Sequence, residues 1–207
     1  MEELESIRKR VQAYRPSPLL PRREYAVLLP LIYLEDCWQI LYEVRSEFIS
    51  QPGEVSFPGG RMEQGETAQD AALRETFEEL SIPKEKIDLL GELDYWMNER
   101  RTVRCFVGQI QLESLEDLRP NEEVARVFTI PLNRLIQDPP QYYSLITEVD
   151  PESDFPFEKI RGGIHYPFTA SYRKIPFYEH FEELIWGMTA EFTDHFIRLI
   201  KTEKKES

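Results

Sequence analysis

The sequence of 207 residues is poor in cysteine and lacks any apolar run long enough to cross a membrane. Its two cysteines, Cys37 and Cys105, fit no metal-binding or redox spacing, which favours reduced thiols and a cytoplasmic location. The longest apolar run covers residues 26–34 and is interrupted by Pro30, whereas a membrane-spanning helix needs about 20 residues. The amino-terminal residues show no apolar segment behind a basic start, so we expect neither a signal peptide nor a membrane partner.

Positive charge is also scarce in this chain. Lysine and arginine together number 25 against 38 aspartates and glutamates, which leaves a formal net charge of −13. Because affinity for nucleic-acid phosphates and anionic membranes depends on clustered basic side chains, this balance argues against both partners. It suits a protein that handles cations. One basic stretch lies between Arg8 and Arg23, and we interpret it as a solvated arm or a subunit contact of a possible homodimer, with an anionic substrate as the alternative.

Prolines and hydrophobic spacing divide the chain into an arm, one large domain and a short tail. Residues 4–14 have helical spacing, and Pro16, Pro18 and Pro21 then require an extended linker. We expect an amino-terminal arm at 1–22, a domain at 23–201 and a flexible tail at 202–207. Strands are predicted at 25–34, 38–44, 55–57, 87–97, 103–112 and 124–130, and helices at 67–80, 131–137 and 181–201. Residues 138–178 are expected to be irregular, and the pattern favours an α+β class with a mixed sheet.

Acidic side chains are concentrated on the predicted helix at 67–80, just after a Gly-Gly loop. Glu75, Glu78 and Glu79 are three and four residues apart, so they share one helical face. Leu73, Phe77 and Leu80 form the other stripe and are expected to face the core. The three carboxylates repel one another and stand near the helix carboxyl end, where the helix dipole also disfavours anions. A solvated acidic face is the simple interpretation, but clustered carboxylate and carbonyl oxygens are also what hard divalent cations require.

The spacing of these residues resembles the Nudix box, Gly-x5-Glu-x7-Arg-Glu-U-x-Glu-Glu-x-Gly-U, where U is apolar. Two positions depart from the motif: Thr76 stands at an apolar position, and Ser81 replaces the last glycine. Neither change removes an oxygen ligand. The matching residues are Gly60, Glu66, Arg74, Glu75, Glu78, Glu79 and Ile82.

The segment before the box is similar to an additional motif of coenzyme A pyrophosphatases, a group within the Nudix superfamily. Arg45, Ser46, Gly53 and residues 57–60 match that motif, and residues 185–190 resemble the carboxyl-terminal helix of the same group. A further arginine of the motif is absent here, and the spacing is one residue shorter. The resemblance implies a Nudix-type α/β/α sandwich with a mixed β-sheet and a metal-binding loop-helix-loop.

The same resemblance implies a metal-dependent hydrolysis of a nucleoside diphosphate linked to another group. Mg²⁺ or Mn²⁺ would be held by Glu75, Glu78, Glu79 and the carbonyl of Gly59. Glu75 would also help to deprotonate the attacking water, and Arg74 would orient Glu78. For coenzyme A the products would be 3′,5′-ADP and 4′-phosphopantetheine.

Several further side chains are candidates for the substrate or the metal. Arg45, Ser46 and Gly60 are expected to bind the substrate, and Glu123 is expected to supply an extra carboxylate, with Glu99 and Glu122 as alternatives. A basic cluster at Arg100, Arg101 and Arg104 could face a phosphate, and Tyr95, Trp96 or Trp186 could stack on a base, although a surface turn and core packing explain them equally well.

Three functions stay open at this point. The leading hypothesis is a coenzyme A pyrophosphatase. The second is a Nudix hydrolase for ADP-ribose, NADH or a diadenosine polyphosphate, because the additional motif is incomplete. The third is a Nudix-fold ligand sensor without turnover, against which the complete carboxylate set argues.

Overall fold

The computed structural model describes residues 2–17, 19–20 and 22–201, which form four α-helices and eleven strands. Pro18, Pro21 and the predicted tail at 202–207 lie outside the described residues. The helices are α1 (Glu2–Ala13), α2 (Ala68–Leu80), α3 (Leu132–Gln137) and α4 (Gly187–Lys201). The strands are β1 (Arg23–Leu34), β2 (Cys37–Arg45), β3 (Val55–Ser56), β4 (Gly59–Arg61), β5 (Ile87–Glu92), β6 (Trp96–Met97), β7 (Arg101–Ile110), β8 (Val124–Pro131), β9 (Gln141–Thr147), β10 (Ser171–Tyr178) and β11 (Ile185–Trp186).

The first eight strands form one mixed sheet with β1 at its centre. Strand β1 runs parallel to β7 and antiparallel to β2 and β4, while β2 continues the sheet to β3 and β8. Residues 26–32 of β1 are all buried, as expected for a central strand that is covered on both faces. Glu35 and Asp36 both have positive φ angles, which matches the tight hairpin between β1 and β2. The predicted α+β class with a mixed sheet is confirmed.

Two separate hydrophobic cores cover the two faces of this sheet. Helix α2 packs its alanines on one face, around Leu28 and Leu41. Helices α3 and α4 pack on the other face, around Leu29, Ile40 and Tyr42. Helix α1, by contrast, is exposed along its described side chains. Among the described residues, no helix combines the length and the apolar character needed to span a bilayer.

Helix α2 explains both departures from the Nudix box. Thr76 is fully buried, and its hydroxyl donates a hydrogen bond to the carbonyl of Ala72 at 2.7 Å, so a polar residue fits the apolar position. Ser81 adopts the left-handed conformation with φ 57°, and its hydroxyl donates to the carbonyl of Arg119. The prediction that Phe77 faces the core is wrong, because the residue is 54% exposed. Leu80 is buried and Leu73 packs against the core as predicted, and small residues such as Ala72 and Thr76 complete the buried stripe.

The carboxyl-terminal third differs most from the sequence-based expectation. Residues 138–178 contain β9 and β10, which form a separate three-stranded sheet with β11. Every residue of β9 is exposed, so the strand lacks the alternation of buried and exposed positions that reveals most strands. The last helix begins at Gly187 and not at residue 181, since residues 185–186 belong to β11. The predicted strand at 87–97 is likewise divided into β5 and β6.

Candidate active site

A cavity of about 630 Å³ opens between the Gly-Gly loop, α2 and the three-stranded sheet. One wall carries the carboxylates of Glu75, Glu79 and Glu123 together with the backbone of Gly59 and Gly60. The box therefore places two of its three clustered acids, and the predicted extra carboxylate, in one concave site. Such concavity with a few converging polar groups is typical of small-molecule binding sites.

Glu79 is the most deeply buried acid of α2, with 6% of its surface exposed. Its Oε2 accepts a hydrogen bond from the backbone N–H of Gly59 at 2.8 Å, which fixes the loop to the helix. The pKa of Glu79 is raised to about 8, mainly by burial and also by the charges of Glu75 and Glu123, while the hydrogen bond from Gly59 acts in the opposite direction. A buried acid surrounded by other acids indicates a place where a cation would be stabilised.

Gly60 allows the loop to approach the carboxylate of Glu75. A Cβ atom at residue 60 would lie 2.3 Å from Oε1 of Glu75, which is far closer than any side chain could tolerate. The φ angle of Gly60 is not positive, so the requirement for glycine here is purely steric. Burial raises the pKa of Glu75, and the hydrogen bond from Arg74 opposes this effect. The loop backbone and the Glu75 carboxylate thus form one compact surface.

Arg74 joins the start and the end of the box through its guanidinium group. The group donates two hydrogen bonds to Glu66 at 2.9 and 3.1 Å, one to Glu75 at 2.9 Å and one to Glu78 at 3.0 Å. It also donates to the carbonyl of Arg61. The hydrogen bond from Arg74 lowers the pKa of Glu66, and Glu66 in turn accepts from the N–H of Glu63. Glu66 therefore supports the turn between loop and helix, and Arg74 holds Glu75 and Glu78 in place.

Replacing Arg74 with Lys should destabilise the protein by about 1–2 kcal/mol, because an ammonium group cannot bridge three carboxylates in fixed directions. The matched control is Arg104→Lys, which changes an exposed pair with Glu92 and should cost less than about 0.5 kcal/mol. Urea unfolding of both variants measures the difference. Equal losses in the two variants would show that the geometry of the Arg74 fork contributes nothing to stability.

The predicted residues outside the helix meet near a bulge at the end of β2. The register between β2 and β8 shifts between Val44 and Arg45, and Arg45 then lines the cavity while its Nε donates to the carbonyl of Ser50 at 2.8 Å. The N–H of Ser46 donates to the carbonyl of Glu123 at 2.9 Å, which places the Glu123 loop beside the site. The hydroxyl of Ser46 accepts from the N–H of Phe48 and does not line the cavity.

Besides Ser46, two further predicted site residues do not line the cavity. Neither Arg74 nor Glu78 is among the lining side chains. The side chain of Glu78 is 51% exposed and points to Arg74. The assigned roles of these residues stay predictions.

Sequence reasoning missed Glu43, a buried acid behind the carboxylate wall. Glu43 lies on β2 with 2% of its surface exposed, and its Oε1 has no hydrogen-bond partner among the described residues. Burial raises its pKa well above the usual value, and the charge of Glu79 raises it further. The sequence contained one signal, since Glu43 interrupts the otherwise apolar run at residues 40–44.

A second part of the lining, the basic wall, is basic and aromatic. It carries Trp96, Arg101, Arg173 and Trp186. Of the cluster predicted near residue 100, only Arg101 lines the cavity, because the side chain of Arg104 pairs with Glu92 and Arg100 lies outside the lining. Sequence reasoning missed Arg173, since it lies on β10 in the region expected to be irregular. Arg45 and Arg61 also line the cavity, which thus contains both carboxylates and guanidinium groups.

The box forms a loop and a helix that line a carboxylate-rich cavity. Residues 31–149, which contain this box, match the NUDIX domain family. The chain belongs to the Nudix hydrolase family.

Relatives of known name extend this Nudix assignment beyond the matched segment. Nudix hydrolase 3 of Caenorhabditis elegans is 42% identical over 117 residues, which are 54% of this chain and 49% of that protein. The human mitochondrial coenzyme A diphosphatase NUDT8 is 33% identical over 183 residues, or 84% of this chain and 68% of that protein. The chain thus spans about half to two thirds of these relatives' lengths. The resemblance to the coenzyme A pyrophosphatase group of Nudix proteins is confirmed.

A solved structure supports the Nudix fold over nearly the whole chain. The MutT/nudix family protein of Enterococcus faecalis aligns with 98% of this chain and 71% of that chain. The TM-score is 0.54 at 15% sequence identity, so this likeness concerns the fold alone.

The Nudix site has the donor chemistry that a hard divalent cation requires. The wall offers carboxylate oxygens of Glu75, Glu79 and Glu123, and Glu43 behind it keeps one carboxylate oxygen without a partner. Burial is the main cause of the raised pKa values of Glu43, Glu75 and Glu79, and a bound cation would stabilise their charged forms. Within the described ranges, no three acidic, histidine or cysteine side chains already converge as a metal site. A cation would therefore have to draw the carboxylates together.

Proposed function

We propose that this protein hydrolyses the diphosphate bond of coenzyme A or its derivatives, giving 3′,5′-ADP and (acyl-)4′-phosphopantetheine. The main support for this proposal is the cavity, whose lining combines carboxylates of the Nudix box with basic and aromatic side chains. The Arg45-Ser46 motif and the human relative named as a coenzyme A diphosphatase support this substrate class.

The metal site is assigned to Glu75, Glu78, Glu79 and the carbonyl of Gly59, with Glu123 as an additional carboxylate. Mg²⁺ or Mn²⁺ would neutralise charge on the phosphoryl oxygens and lower the pKa of a bound water. Glu79 and Gly59 are already joined by a hydrogen bond, so the loop and the helix offer their oxygens together. Glu78 has to release its bond to Arg74 before it can take part, and its exposure leaves it free to turn.

Glu75 is proposed to accept a proton from the attacking water. It lines the cavity, its pKa is raised by burial, and Arg74 holds its carboxylate in one orientation. The water oxygen forms the new bond to phosphorus, the bridging P–O bond breaks, and the released phosphate carries away the electron pair. Arg74 acts as a positioning residue in this scheme, since it does not line the cavity.

Arg45 and Gly60 are proposed to bind the diphosphate. Arg45 lines the cavity and lies close enough to the carboxylates to lower the pKa values of Glu43 and Glu79. Gly60 brings the backbone into the cavity without a side chain. Ser46 is proposed to act through the loop that it joins to Glu123. A cytoplasmic location, a homodimer that uses the amino-terminal arm, and the absence of nucleic-acid or membrane partners stay predictions.

Turnover of a substrate panel tests this function directly. The protein is incubated with Mg²⁺ or Mn²⁺ and coenzyme A, acyl-coenzyme A, ADP-ribose, NADH or diadenosine tetraphosphate, and products are separated by chromatography. We expect 3′,5′-ADP from the coenzyme A compounds and slower turnover of the others. Cleavage of ADP-ribose with coenzyme A left intact would assign a different Nudix substrate, and no turnover of any diphosphate would indicate a ligand sensor.

A further inference from the structure

We propose that Arg101, Arg173 and Trp96 form a second anion subsite, which binds a phosphate monoester of the substrate separate from the diphosphate that is cleaved. Identification of this phosphate monoester as the 3′-phosphate of coenzyme A rests on the proposed function. The subsite extends that function, because it assigns one part of the substrate to the basic wall.

The two arginines share one aromatic ring. The guanidinium carbon of Arg101 lies 5.6 Å from the centroid of Trp96, and that of Arg173 lies 5.2 Å from the same centroid. Contact with the ring restricts both side chains in advance, so less conformational entropy is lost when an anion binds. Two cations against one ring also repel each other, and a doubly charged phosphate between them would remove that repulsion.

The positive charge of this pair is only partly compensated. Arg173 donates to Glu191 of α4 at 2.9 Å, whereas Arg101 has no carboxylate partner within the described ranges. Arg45 and Arg61 also line the cavity without an ion pair among the described residues, but of the four lining arginines only Arg101 and Arg173 lie over an aromatic ring. Planar guanidinium groups match phosphate oxygens with paired hydrogen bonds, which favours a phosphate as the missing anion.

Different elements supply this subsite and the proposed site of hydrolysis. Glu75 and Glu79 lie on α2, whereas Arg101 lies on β7 and Arg173 on β10, and all four line the same cavity. A substrate that uses both walls needs two anionic groups joined by a linker. Coenzyme A has a diphosphate and a 3′-phosphate on its ribose, whereas ADP-ribose, NADH and dephospho-coenzyme A have only the diphosphate. The basic wall can therefore distinguish these compounds.

Comparison of coenzyme A with 3′-dephospho-coenzyme A in Arg101→Gln and Arg173→Gln variants tests the subsite. We expect kcat/KM for coenzyme A to fall about tenfold in each variant, the loss typical of one charged hydrogen bond, and to change less than about twofold for the dephospho compound. Matched controls are Arg100→Gln and Lys174→Gln, which remove the same charge from neighbouring side chains outside the cavity. Glu191→Gln controls for the loss of the ion pair of Arg173 and should retain the preference.

Binding without turnover provides a second readout that does not depend on the proposed reaction. Calorimetry in EDTA compares adenosine 3′,5′-bisphosphate with 5′-AMP, and we expect tighter binding of the bisphosphate in the wild-type protein and loss of that preference in Arg101→Gln and Arg173→Gln. Equal losses for both substrates, or no preference for the bisphosphate, would overturn the subsite. A wild-type protein that prefers the bisphosphate through these arginines but leaves coenzyme A intact would keep the subsite and refute the proposed substrate.

Discussion

Replacing Glu79 with Gln is expected to lower kcat about a thousandfold while leaving the metal-free protein folded. Glutamine keeps an oxygen that can accept the N–H of Gly59, so the link between loop and helix survives. What disappears is the negative charge that the proposed cation requires. We also expect addition of Mg²⁺ to raise the melting temperature of the wild-type protein, and this rise to be largely lost in the variant.

The same substitution should change how stability depends on pH. The pKa of Glu79 is about 8 in the folded protein, against an ordinary value of 4.5 when the chain is unfolded. The folded state thus binds more protons between these values, so its contribution to the free energy of unfolding is complete below about pH 4.5 and is lost as the pH rises through about 8. In EDTA, the wild-type protein should lose stability from pH 6 to pH 9, and Glu79→Gln should lose less.

Urea unfolding at pH 6 and pH 9, with and without Mg²⁺, measures this difference. The control is Glu85→Gln, which removes the same charge from an exposed position and should reproduce the wild-type pH dependence and turnover. A Glu79→Gln variant with wild-type kcat would refute the assignment of this carboxylate to the metal. Parallel pH profiles of the two variants would show that the charge of Glu79 does not oppose folding.

Replacing Gly60 with Ala should reduce kcat about a hundredfold and destabilise the protein by only about 1 kcal/mol. The new Cβ would overlap the carboxyl group of Glu75, so this side chain has to turn away from its place in the cavity. Glu75 can move because the clash involves the end of a flexible side chain, and the fold is therefore retained. The proposed proton acceptor, however, is displaced, and its bond to Arg74 is weakened.

A double-mutant cycle with Glu75→Ala identifies the cause of this effect. In the Glu75→Ala background, the Cβ at residue 60 no longer meets a carboxylate, so Gly60→Ala should cost little further stability. The cycle is measured as the free energies of unfolding of Gly60→Ala, Glu75→Ala and the double variant. The kcat of Gly60→Ala is measured alongside. An unchanged cost of Gly60→Ala in both backgrounds would mean that the loop itself, and not Glu75, rejects a side chain.

The sequence predicted the central part of the site because that part depends on spacing within one loop and one helix. Helical geometry fixes the mutual positions of the carboxylates on α2. The Gly-Gly loop precedes this helix directly in the sequence, and the hydroxyl of Thr67 caps its amino-terminal end. Thr76 and Ser81 fit the same helix through hydrogen bonds of their own side chains. These two departures from the Nudix box are therefore compatible with the predicted helix.

The rest of the cavity depends on contacts between distant segments, which spacing does not reveal. Arg173 reaches Trp96 from a strand whose partner, β9, is fully exposed and so carries no burial pattern. Glu43 lies close enough to Glu79 and Glu123 for their charges to raise its pKa, and this proximity depends on how β2 is placed in the sheet. Phe77 was assigned to the core because large apolar residues usually face inward, but small residues allow α2 to lie close to β1.

Part of the basic wall comes from a different stretch of the chain than the carboxylates, which has a consequence for how this protein can evolve. The carboxylates of α2 lie within residues 31–149, the segment common to the family, whereas Arg173 and Trp186 lie beyond it. Substitutions in the small sheet can therefore alter substrate preference while the hydrolytic apparatus stays intact. Duplicated genes could diverge in the compounds that they degrade through changes to a few residues of β10 and β11.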